Sequence, residues 1–447
     1  MRHLQAMLDV ATIEHLAKRL KEPAWVTDLR IAALHRHRAL PWPHPSDEIW
    51  RRTDIKLLDP MQGFSSTPPS ELFQSVHLDD ARMSHVLAPI GDETLMVRAN
   101  GSWIRQETPP GVRLADLTQV AQEAPALIKQ LLEADSLTPP EHKLTSLNAA
   151  FHDEAVVLQV NPNVTLERPL RFVHMRSAHP HGAAFPFTVI LVGSGSSLVL
   201  VDEYVSVPSS TPPLEEAPHL VNGRIELMLE PHASVSYVRI QRWDQQAREF
   251  LLQRAILREG AKLTTVNINF GSLVSKSHVI TQLVGPQASS QLYGFVFGHG
   301  HQHVDQHSLQ DHQAAHTTSD LLYKAALKDH SRMIYTGLIR IAKAAKQTDA
   351  YQANDNLLLS REAKAETIPM LEILADDVRC KHGATIGPVD EEQLFYLTTR
   401  GIPRGLAERL LVMGFVEPII SQVPFEPLRD HLREELEGSL HHQQGDG

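Results

Sequence analysis

The sequence is poor in cysteine, since only Cys380 among its 447 residues carries a thiol. One thiol excludes an internal disulfide, a four-cysteine zinc site and a private four-cysteine iron–sulfur cluster. A lone thiol is also typical of proteins from a reducing compartment, and the N-terminal residues lack the apolar centre of a secretory signal. Together these two features predict a soluble, cytoplasmic protein.

Long hydrophobic runs and an excess of basic residues are lacking as well. The most apolar stretch, residues 185–200, is interrupted by Pro186, Gly193 and Gly195, so the sequence predicts no membrane span. The 42 lysines and arginines are outnumbered by 53 acidic residues, which gives a net charge of −11. This balance argues against a nucleic-acid partner, because such a partner needs a concentrated basic face.

The common signatures of enzymes are also missing. The sequence contains no Gly-Lys pair, and therefore no P-loop, and it has no Gly-x-Gly-x-x-Gly, Gly-x-Ser-x-Gly or His-Glu-x-x-His motif. The hydrophobic content of 42% is nevertheless enough to bury a large core. These features favour a folded scaffold and not an enzyme.

What the sequence does contain is a long stretch of two-residue periodicity between two helical regions. Apolar residues have helical spacing in residues 4–40 and 115–135 and again after residue 387, while residues 60–115 look irregular. From about residue 154 to 375 apolar and polar side chains alternate, which is typical of half-buried strands. We predict an N-terminal helical and irregular region (1–150), a β core (151–387) and a C-terminal helical region (388–447).

A repeat inside the β region points to its architecture. Ala233, Ala261 and Ala288 each follow a turn and precede an alternating strand. A repeat of this length, built from strands and turns alone, predicts a solenoid whose coils cover one another. A β-sandwich with regular hairpins is the alternative, because strand periodicity does not determine topology.

Cys380 and His382 form the first candidate site. Two residues apart on a strand, they would point to one face and offer a thiolate and an imidazole to iron or sulfur species. Arg379 and Lys381 would lower the pKa of the thiol. The alternatives are a buried structural cysteine beside a hydrogen-bonded histidine, and a Cys–His nucleophile pair, for which the sequence supplies no orienting group.

A histidine-rich run forms the second candidate site. His299, His301 and His303 alternate, so on a strand they would share a face and could bind zinc, copper or iron. The alternative is a polar, solvent-facing ladder on one coil of the solenoid. The run continues through His307, His312 and His316.

The C-terminal region is predicted to contain three helices. Asp390 begins a capping box, Gly401 ends the first helix, and a second helix follows Pro403. Residues 425–440 form a charged amphipathic helix. Such helices either pack against their own chain or provide a docking surface for a partner.

Four runs of residues carry a family resemblance. They are Tyr351-Gln-Ala-Asn-Asp-Asn-Leu-Leu-Leu-Ser360, Pro369-Met-Leu-Glu-Ile373, Ala375-Asp-Asp-Val-Arg-Cys-Lys-His-Gly-Ala-Thr385 and Leu394-Phe-Tyr-Leu-Thr-Thr-Arg-Gly401. Asp305-Gln-His307 and the N-terminal stretch around Trp50 and Thr53 also fit. The sequence thereby resembles the SufB/SufD family of the SUF iron–sulfur cluster assembly system, over about residues 40–440.

Two positions place the resemblance with the SufD branch of this family. SufB-like members have Glu-His-Glu-Ala where this chain has Lys381-His-Gly-Ala384, and a cysteine where this chain has Ala353. That cysteine is the presumed cluster-assembly thiol of the family. The resemblance therefore implies that this chain needs a partner to supply the thiol.

The resemblance further implies a right-handed parallel β-helix with helical ends, and a non-catalytic scaffold that pairs with a SufB-like paralogue. It implies that His382, with Cys380 beside it, lies at the paired interface and handles iron or a transient cluster there. No cofactor would be stably bound to the chain alone, and the isolated chain could form a homodimer. A SufC-type ABC ATPase would bind the C-terminal helices, with docking residues Phe395, Tyr396, Arg400, Gly401, Leu410 and Phe415.

Two functions from other classes remain as alternatives. One is a β-helix enzyme that acts on polysaccharide, although the only obvious carboxylate pair, Asp376 and Asp377, would point to opposite faces of a strand. The other is a stand-alone metal-binding protein that uses the histidine-rich run.

Overall fold

A computed structural model describes residues 9–58, 86–133, 143–177, 182–207 and 218–441. In these ranges no helix combines the length and the hydrophobicity that crossing a membrane requires. The helices are α1 (Val10–Leu20), α2 (Ala24–Ala39), a 3-10 turn (Ile55–Leu58), α3 (Leu117–Glu123), α4 (Pro125–Glu133), α5 (Lys143–Phe151), α6 (Glu391–Thr399), α7 (Arg404–Ile420) and α8 (Glu426–His441).

Strands make up most of the described chain between the helical ends. They are β1 (Thr94–Ala99), β2 (Ser102–Arg105), β3 (Val112–Asp116), β4 (Glu154–Val160), β5 (Leu170–Ser177), β6 (Ala183–Ala184), β7 (Pro186–Val192), β8 (Ser197–Val207), β9 (His219–Leu229), β10 (Ser234–Arg242), β11 (Ala247–Leu257), β12 (Lys262–Asn269), β13 (Val274–Leu283), β14 (Ser289–Gly298), β15 (His303–His312), β16 (Thr318–Leu327), β17 (Arg332–Ile341), β18 (Thr348–Leu358), β19 (Lys364–Ile373) and β20 (Val378–Pro388).

The strands form two long sheets that the chain visits alternately. Sheet 1 has the order β2-β1-β5-β8-β10-β12-β14-β16-β18-β20, and sheet 2 runs from β19 through the odd-numbered strands to β9, β7, β4 and β3. From β8 onward each strand pairs in parallel with the strand two places along the chain. This is a β-solenoid, so the predicted fold is confirmed, and the sandwich alternative is wrong because its hairpins would pair consecutive strands antiparallel.

The repeated alanines mark one corner of the solenoid. Ala233, Ala261 and Ala288 are fully buried there, and Thr317 and Thr348 take the same position in the next two coils. The hydroxyl oxygens of Thr317 and Thr348 lie 3.1 Å apart and form a hydrogen bond from one coil to the next. A small side chain at this position lets each corner stack directly on the next.

The N-terminal part of the β region differs from the prediction. Residues 94–116, expected to be irregular, contain β1, β2 and β3 and extend both sheets. β2 pairs antiparallel with β1, and β3 pairs antiparallel with β4. These strands have only four to six residues each, which is too short for alternation to show in the sequence. The residues from 59 to 85 lie outside the described ranges, and the domain boundaries at 150 and 387 stay predictions.

Helices cover the outer faces of both sheets. Leucines of α8 and branched residues of α7 pack on Val238, Ile268 and Phe295 of sheet 1. Arg242 of β10 donates two hydrogen bonds to Glu435 of α8, at 2.7 and 2.6 Å, which fixes the helix to the sheet. On the other side α1, α2 and α5 pack on sheet 2.

Candidate functional site: the open end of the solenoid

The last coil of the solenoid leaves two long strand edges without a neighbour in the described chain. β19 pairs only with β17, and β20 pairs only with β18. Because the described chain has no further coil beyond β19 and β20, the inward-pointing side chains of these two strands are left uncovered on the side that faces along the solenoid axis. Three of them are large and apolar: Leu371, Ile373 and Ile386 are 37%, 41% and 45% exposed. We call this surface, formed by β19 and β20, the open end.

Cys380 and His382 lie on β20 at the open end. Cys380 is in register with Ala350, and His382 is in register with Gln352 of the preceding coil. Both side chains therefore continue the inward face of the solenoid, and they share that face as predicted. His382 is exposed, because nothing in the described chain covers it along the axis.

The surroundings of the Cys380 thiol differ from those that the sequence predicted. Cys380 is half-buried and packs against Ala350, Ile339 and Ile341. Burial raises the pKa of the thiol, and the carboxylate of Asp349 raises it further. The prediction that neighbouring basic residues lower this pKa is wrong, because residues adjacent in a strand point to the opposite face. The packing favours a structural contribution from this cysteine.

The histidine-rich run does not assemble a shared face. β14 ends at Gly298 and β15 begins at His303, so His299 and His301 lie in the turn between them and not on a strand. His301 stacks on His330 of the next coil, with ring centroids 5.0 Å apart. In the described part of the chain no three His, Cys, Asp or Glu side chains are placed to hold a metal ion. The predicted common face of these histidines is therefore wrong.

Three other histidines of the run, His303, His307 and His312, have protein partners. His312 is buried in the interior, where its two ring nitrogens lie 2.8 and 2.9 Å from the hydroxyls of Thr317 and Ser319. His316 adopts a positive φ of 61° in an exposed corner. His303 and His307 point outward from sheet 2 and belong to the cluster described next.

A buried ionic cluster lies under an N-terminal segment that we call the strap, residues 42–58. The Nζ atom of Lys276 is 2.5 Å from Asp305 Oδ2, 2.9 Å from His307 Nε2 and 2.7 Å from the carbonyl oxygen of Ile49. Burial alone would raise the pKa of Asp305, but the opposing effect of His307 and Lys276 is larger. The pKa therefore lies below its usual value, and the carboxylate stays ionised. Thr53 donates to Asp305 at 2.5 Å, which ties the strap to the cluster.

The cluster unites two sequence features that are far apart in the chain. The Trp50–Thr53 stretch and the Asp305–His307 stretch both carried the family resemblance, and here the Lys276 ammonium lies 4.6 Å from the ring centroid of Trp50. The strap also reaches the open end, because Arg52 Nε donates to Glu366 of β19 at 2.9 Å. Sequence reasoning missed this connection, since no periodicity relates residues about 250 positions apart.

The C-terminal helices present a second exposed surface. Asp390 caps α6 by accepting from the backbone nitrogens of Glu392 and Gln393, at 2.8 and 3.3 Å, which confirms the N-cap of the predicted capping box. Phe395 and Tyr396 of α6 are 71% and 58% exposed. We call the helical patch the exposed side chains of α6 and α7, namely Phe395, Tyr396, Leu406 and Leu410.

The remaining predicted docking residues differ in their surroundings. The guanidinium of Arg400 lies 5.2 Å from the ring centroid of Tyr396 and borders the helical patch. Gly401, with a φ of 85°, ends α6. Phe415 is half-buried, and its ring lies 4.3 Å from the Lys324 ammonium of sheet 1. Phe415 thus helps to anchor α7 to the solenoid.

The carboxylate pair considered for a polysaccharide-acting enzyme does not lie on a strand. Asp376 and Asp377 are exposed residues of the bend between β19 and β20. The backbone carbonyl of Asp377 accepts from the nitrogen of Gln347 at 2.6 Å, which continues the corner hydrogen bonds of the solenoid. This position supports a turn and no groove for a sugar chain.

Comparison with known proteins gives a consistent result. Residues 174–415 match the family model described as "SUF system FeS cluster assembly, SufBD core domain". The chain is 27% identical to the iron–sulfur cluster assembly protein SufD of Bacillus subtilis over 434 residues, which cover 95% of this chain and 96% of that protein. It is 25% identical to a SufBD family protein of Staphylococcus haemolyticus over 441 residues, which cover 96% and 93% of the two chains.

Proposed function

Because the chain belongs to the SufBD core family of the SUF iron–sulfur cluster assembly system, we propose that it is the SufD-type scaffold subunit of that system and not an enzyme. The open end carries this proposal. A solenoid needs a cap on each terminal coil, and unpaired strand edges are templates for pairing with another chain. The exposed side chains of Leu371, Ile373 and Ile386 add an apolar surface of the kind that marks protein–protein contacts.

The partner at the open end is a SufB-like paralogue. His382 lies within this surface, so pairing would place its imidazole at the seam between two subunits. This chain has Ala353 where SufB-like members have their cluster-assembly cysteine, so that thiolate would come from the partner. An imidazole and a thiolate from different chains are suitable ligands for iron, which is the cargo of the assembly and not a resident cofactor.

The helical patch is the docking site for an ABC-type ATPase of the SufC kind. Two adjacent aromatic side chains with a neighbouring arginine are the composition found at the centres of protein interfaces. α7 and α8 are packed firmly on sheet 1, so movement of a docked ATPase would be transmitted to the solenoid.

Co-purification separates the two proposed interfaces. The chain is co-expressed with a SufB-like paralogue and a SufC-type ATPase, and Leu371→Asp is compared with Phe395→Asp. We expect Leu371→Asp to weaken binding of the paralogue at least about tenfold and to leave binding of the ATPase unchanged, because a buried unpaired carboxylate opposes association. Phe395→Asp should do the reverse. Ile104→Asp, at a position 46% exposed at the other end of the solenoid, is the control and should retain both partners. Loss of both partners in either test variant would contradict the assignment of the surfaces.

His382→Ala tests the role of the imidazole. We expect the variant to fold and to pair normally, but to lower the rate of cluster assembly in the complex roughly tenfold or more, as is usual when a metal-ligating or supporting side chain is lost. His301→Ala removes another exposed histidine, in the turn between β14 and β15, and serves as the control. Normal maturation of iron–sulfur proteins by His382→Ala would show that this side chain has no part in assembly.

A further inference from the structure

The interior of the solenoid changes character along its axis. In the early coils inward-pointing apolar residues such as Leu200, Val235 and Leu263 surround the buried charged side chains of Asp202, Arg239 and Glu249. Further along, polar side chains take inward positions beside apolar ones such as Leu292 and Val304. We call the inner column a set of five such residues on β14, β15 and β18, each at most 3% exposed: Ser290, Gln306, Gln310, Gln352 and Asn356.

Every member of the inner column has a polar atom that makes no hydrogen bond within the described chain. Both side-chain polar atoms of Gln310 are in this state, as are Oε1 of Gln352 and Oδ1 of Asn356. Leaving so many buried groups unpaired would cost a free energy comparable with the net stability of a whole domain. Native proteins satisfy such groups with buried water.

Polar atoms of Tyr335 and Gln352 connect the inner column to the open end, whereas Gln310 and Asn356 have the apolar register neighbours Ile339 and Ala325. Tyr335 lies in register with Gln306, and its hydroxyl oxygen is 2.7 Å from Ser308 Oγ. A Cβ atom on Gly337 would lie 2.7 Å from both the Tyr335 hydroxyl and Gln352 Oε1, so the glycine keeps room for both polar atoms. Gln352 is in turn in register with His382 of the last coil.

The charge of the lining restricts the occupant. The inward face of strands β13–β18 carries no Lys, Arg, Asp or Glu among the described residues. The Glu249 carboxylate of β11, which borders this face at Ser275, is neutralised by Arg239. Its one imidazole, His312, has a pKa lowered by burial to about 4, so it is neutral at neutral pH. An ion without a counter-charge is strongly disfavoured in such a place, whereas a neutral molecule that both donates and accepts hydrogen bonds is favoured.

We propose that the inner column holds bound water, which we call the water file, and that its last molecules lie beside Tyr335 and Gln352, beneath His382. This water satisfies the unpaired amide and hydroxyl groups and gives the inner side of the imidazole hydrogen-bond partners. The neutral lining excludes a ferrous ion, so iron would reach His382 from the outer side of the open end. The water file stands on the fold alone and does not depend on the proposed partners.

Radiolytic labelling of the full-length chain in ¹⁸O-water tests the file. Hydroxyl radicals generated by a brief X-ray pulse label side chains beside bound water, even when those side chains are buried. We expect label on Tyr335, which adjoins the inner column, and none on Tyr237, which is equally buried but donates its hydroxyl to Asp202 at 2.7 Å. Absence of label from Tyr335 would overturn the proposal.

A matched pair of variants gives a second, independent measurement. Gln310→Met keeps the length of the side chain but removes both of its polar atoms. If water is bound there, the variant loses those contacts and its unfolding midpoint does not rise. A dry interior predicts the opposite, namely a higher midpoint, because two unpaired groups are removed, and that result would overturn the proposal. Gln291→Met, at an exposed position of β14, is the control for the substitution itself.

Discussion

Within the described residues, the terminal strands at both ends of the solenoid have a neighbour on one side only, and the two ends differ in how these strand edges are arranged. At the N-terminal end the short strand β2 turns back antiparallel on β1, Trp103 stacks on Phe172 with ring centroids 5.6 Å apart, and Met96 is fully buried. At the C-terminal end β19 and β20 are ten and eleven residues long, and they run parallel to their single neighbours up to the last coil.

The difference indicates which end of the solenoid is protected against further strand pairing by the chain itself. Short antiparallel edge strands are one way in which native proteins prevent further pairing, whereas long regular edges invite it. We therefore expect the first end to contribute to folding of the isolated chain and the second to contribute chiefly to the proposed association. Substitutions at the two ends should accordingly differ in what they change.

The largest expected loss of stability concerns the ionic cluster under the strap, the N-terminal segment that contacts the open end through Arg52. Lys276→Met keeps the bulk of the side chain but leaves Asp305 without its buried ammonium partner. We expect a loss of about 3–5 kcal/mol in the free energy of unfolding, the usual result of breaking a buried ion pair. Urea unfolding measures it, with the exposed Lys262→Met as a control expected to stay within about 0.5 kcal/mol of the natural chain. Equal stability of the two variants would mean that the cluster does not hold the strap.

A matched truncation at each end tests the comparison directly. Met96→Ala at the closed end should cost about 2–5 kcal/mol, because Met96 is 0% exposed and a cavity replaces its side chain. Ile386→Ala at the open end should cost only about 1 kcal/mol in the isolated chain, since its side chain is already half in water. Denaturant unfolding of both isolated variants gives the two values. A larger loss for Ile386→Ala would show that the last coil is part of the folding core.

The sequence predicted the periodic parts of this comparison and missed the others. Alternating residues and the spacing of Ala233, Ala261 and Ala288 were enough for the solenoid, because each coil repeats the same physical requirement at its corner. The same alternation placed Cys380 and His382 on one face. It could not predict the short strands β1–β3, nor the meeting of Trp50 with Lys276, because contacts between distant segments leave no local period.

The direction of the Cys380 pKa shift was missed for a related reason. Local sequence shows the basic neighbours on either side of the thiol, but the strand turns them to the opposite face. Burial, together with Asp349 of the preceding coil, decides the sign of the shift. Neither is visible without the pairing register of β18 and β20.

The comparison can also be made between two inward-pointing histidines. His312 is covered by later coils of the solenoid, whereas His382 in the last coil is exposed. Burial lowers the pKa of His312 from 6.5 to about 4. Because the pKa is lower in the folded state, the stabilising contribution is complete above pH 6.5 and is lost as the pH falls towards 4. We expect this residue to account for a loss of about 2 kcal/mol between pH 7 and pH 5.

The measurement compares unfolding free energies of the natural chain and His312→Gln at both pH values. Glutamine can keep hydrogen bonds to Thr317 and Ser319 but does not titrate, so the variant should lose less stability on acidification. Other buried histidines titrate alike in both proteins, and the difference between the two pH slopes therefore isolates His312. Identical slopes would require that water reaches this imidazole as readily in the folded chain as in the unfolded one, and the interior of the solenoid would then be as open as its last coil.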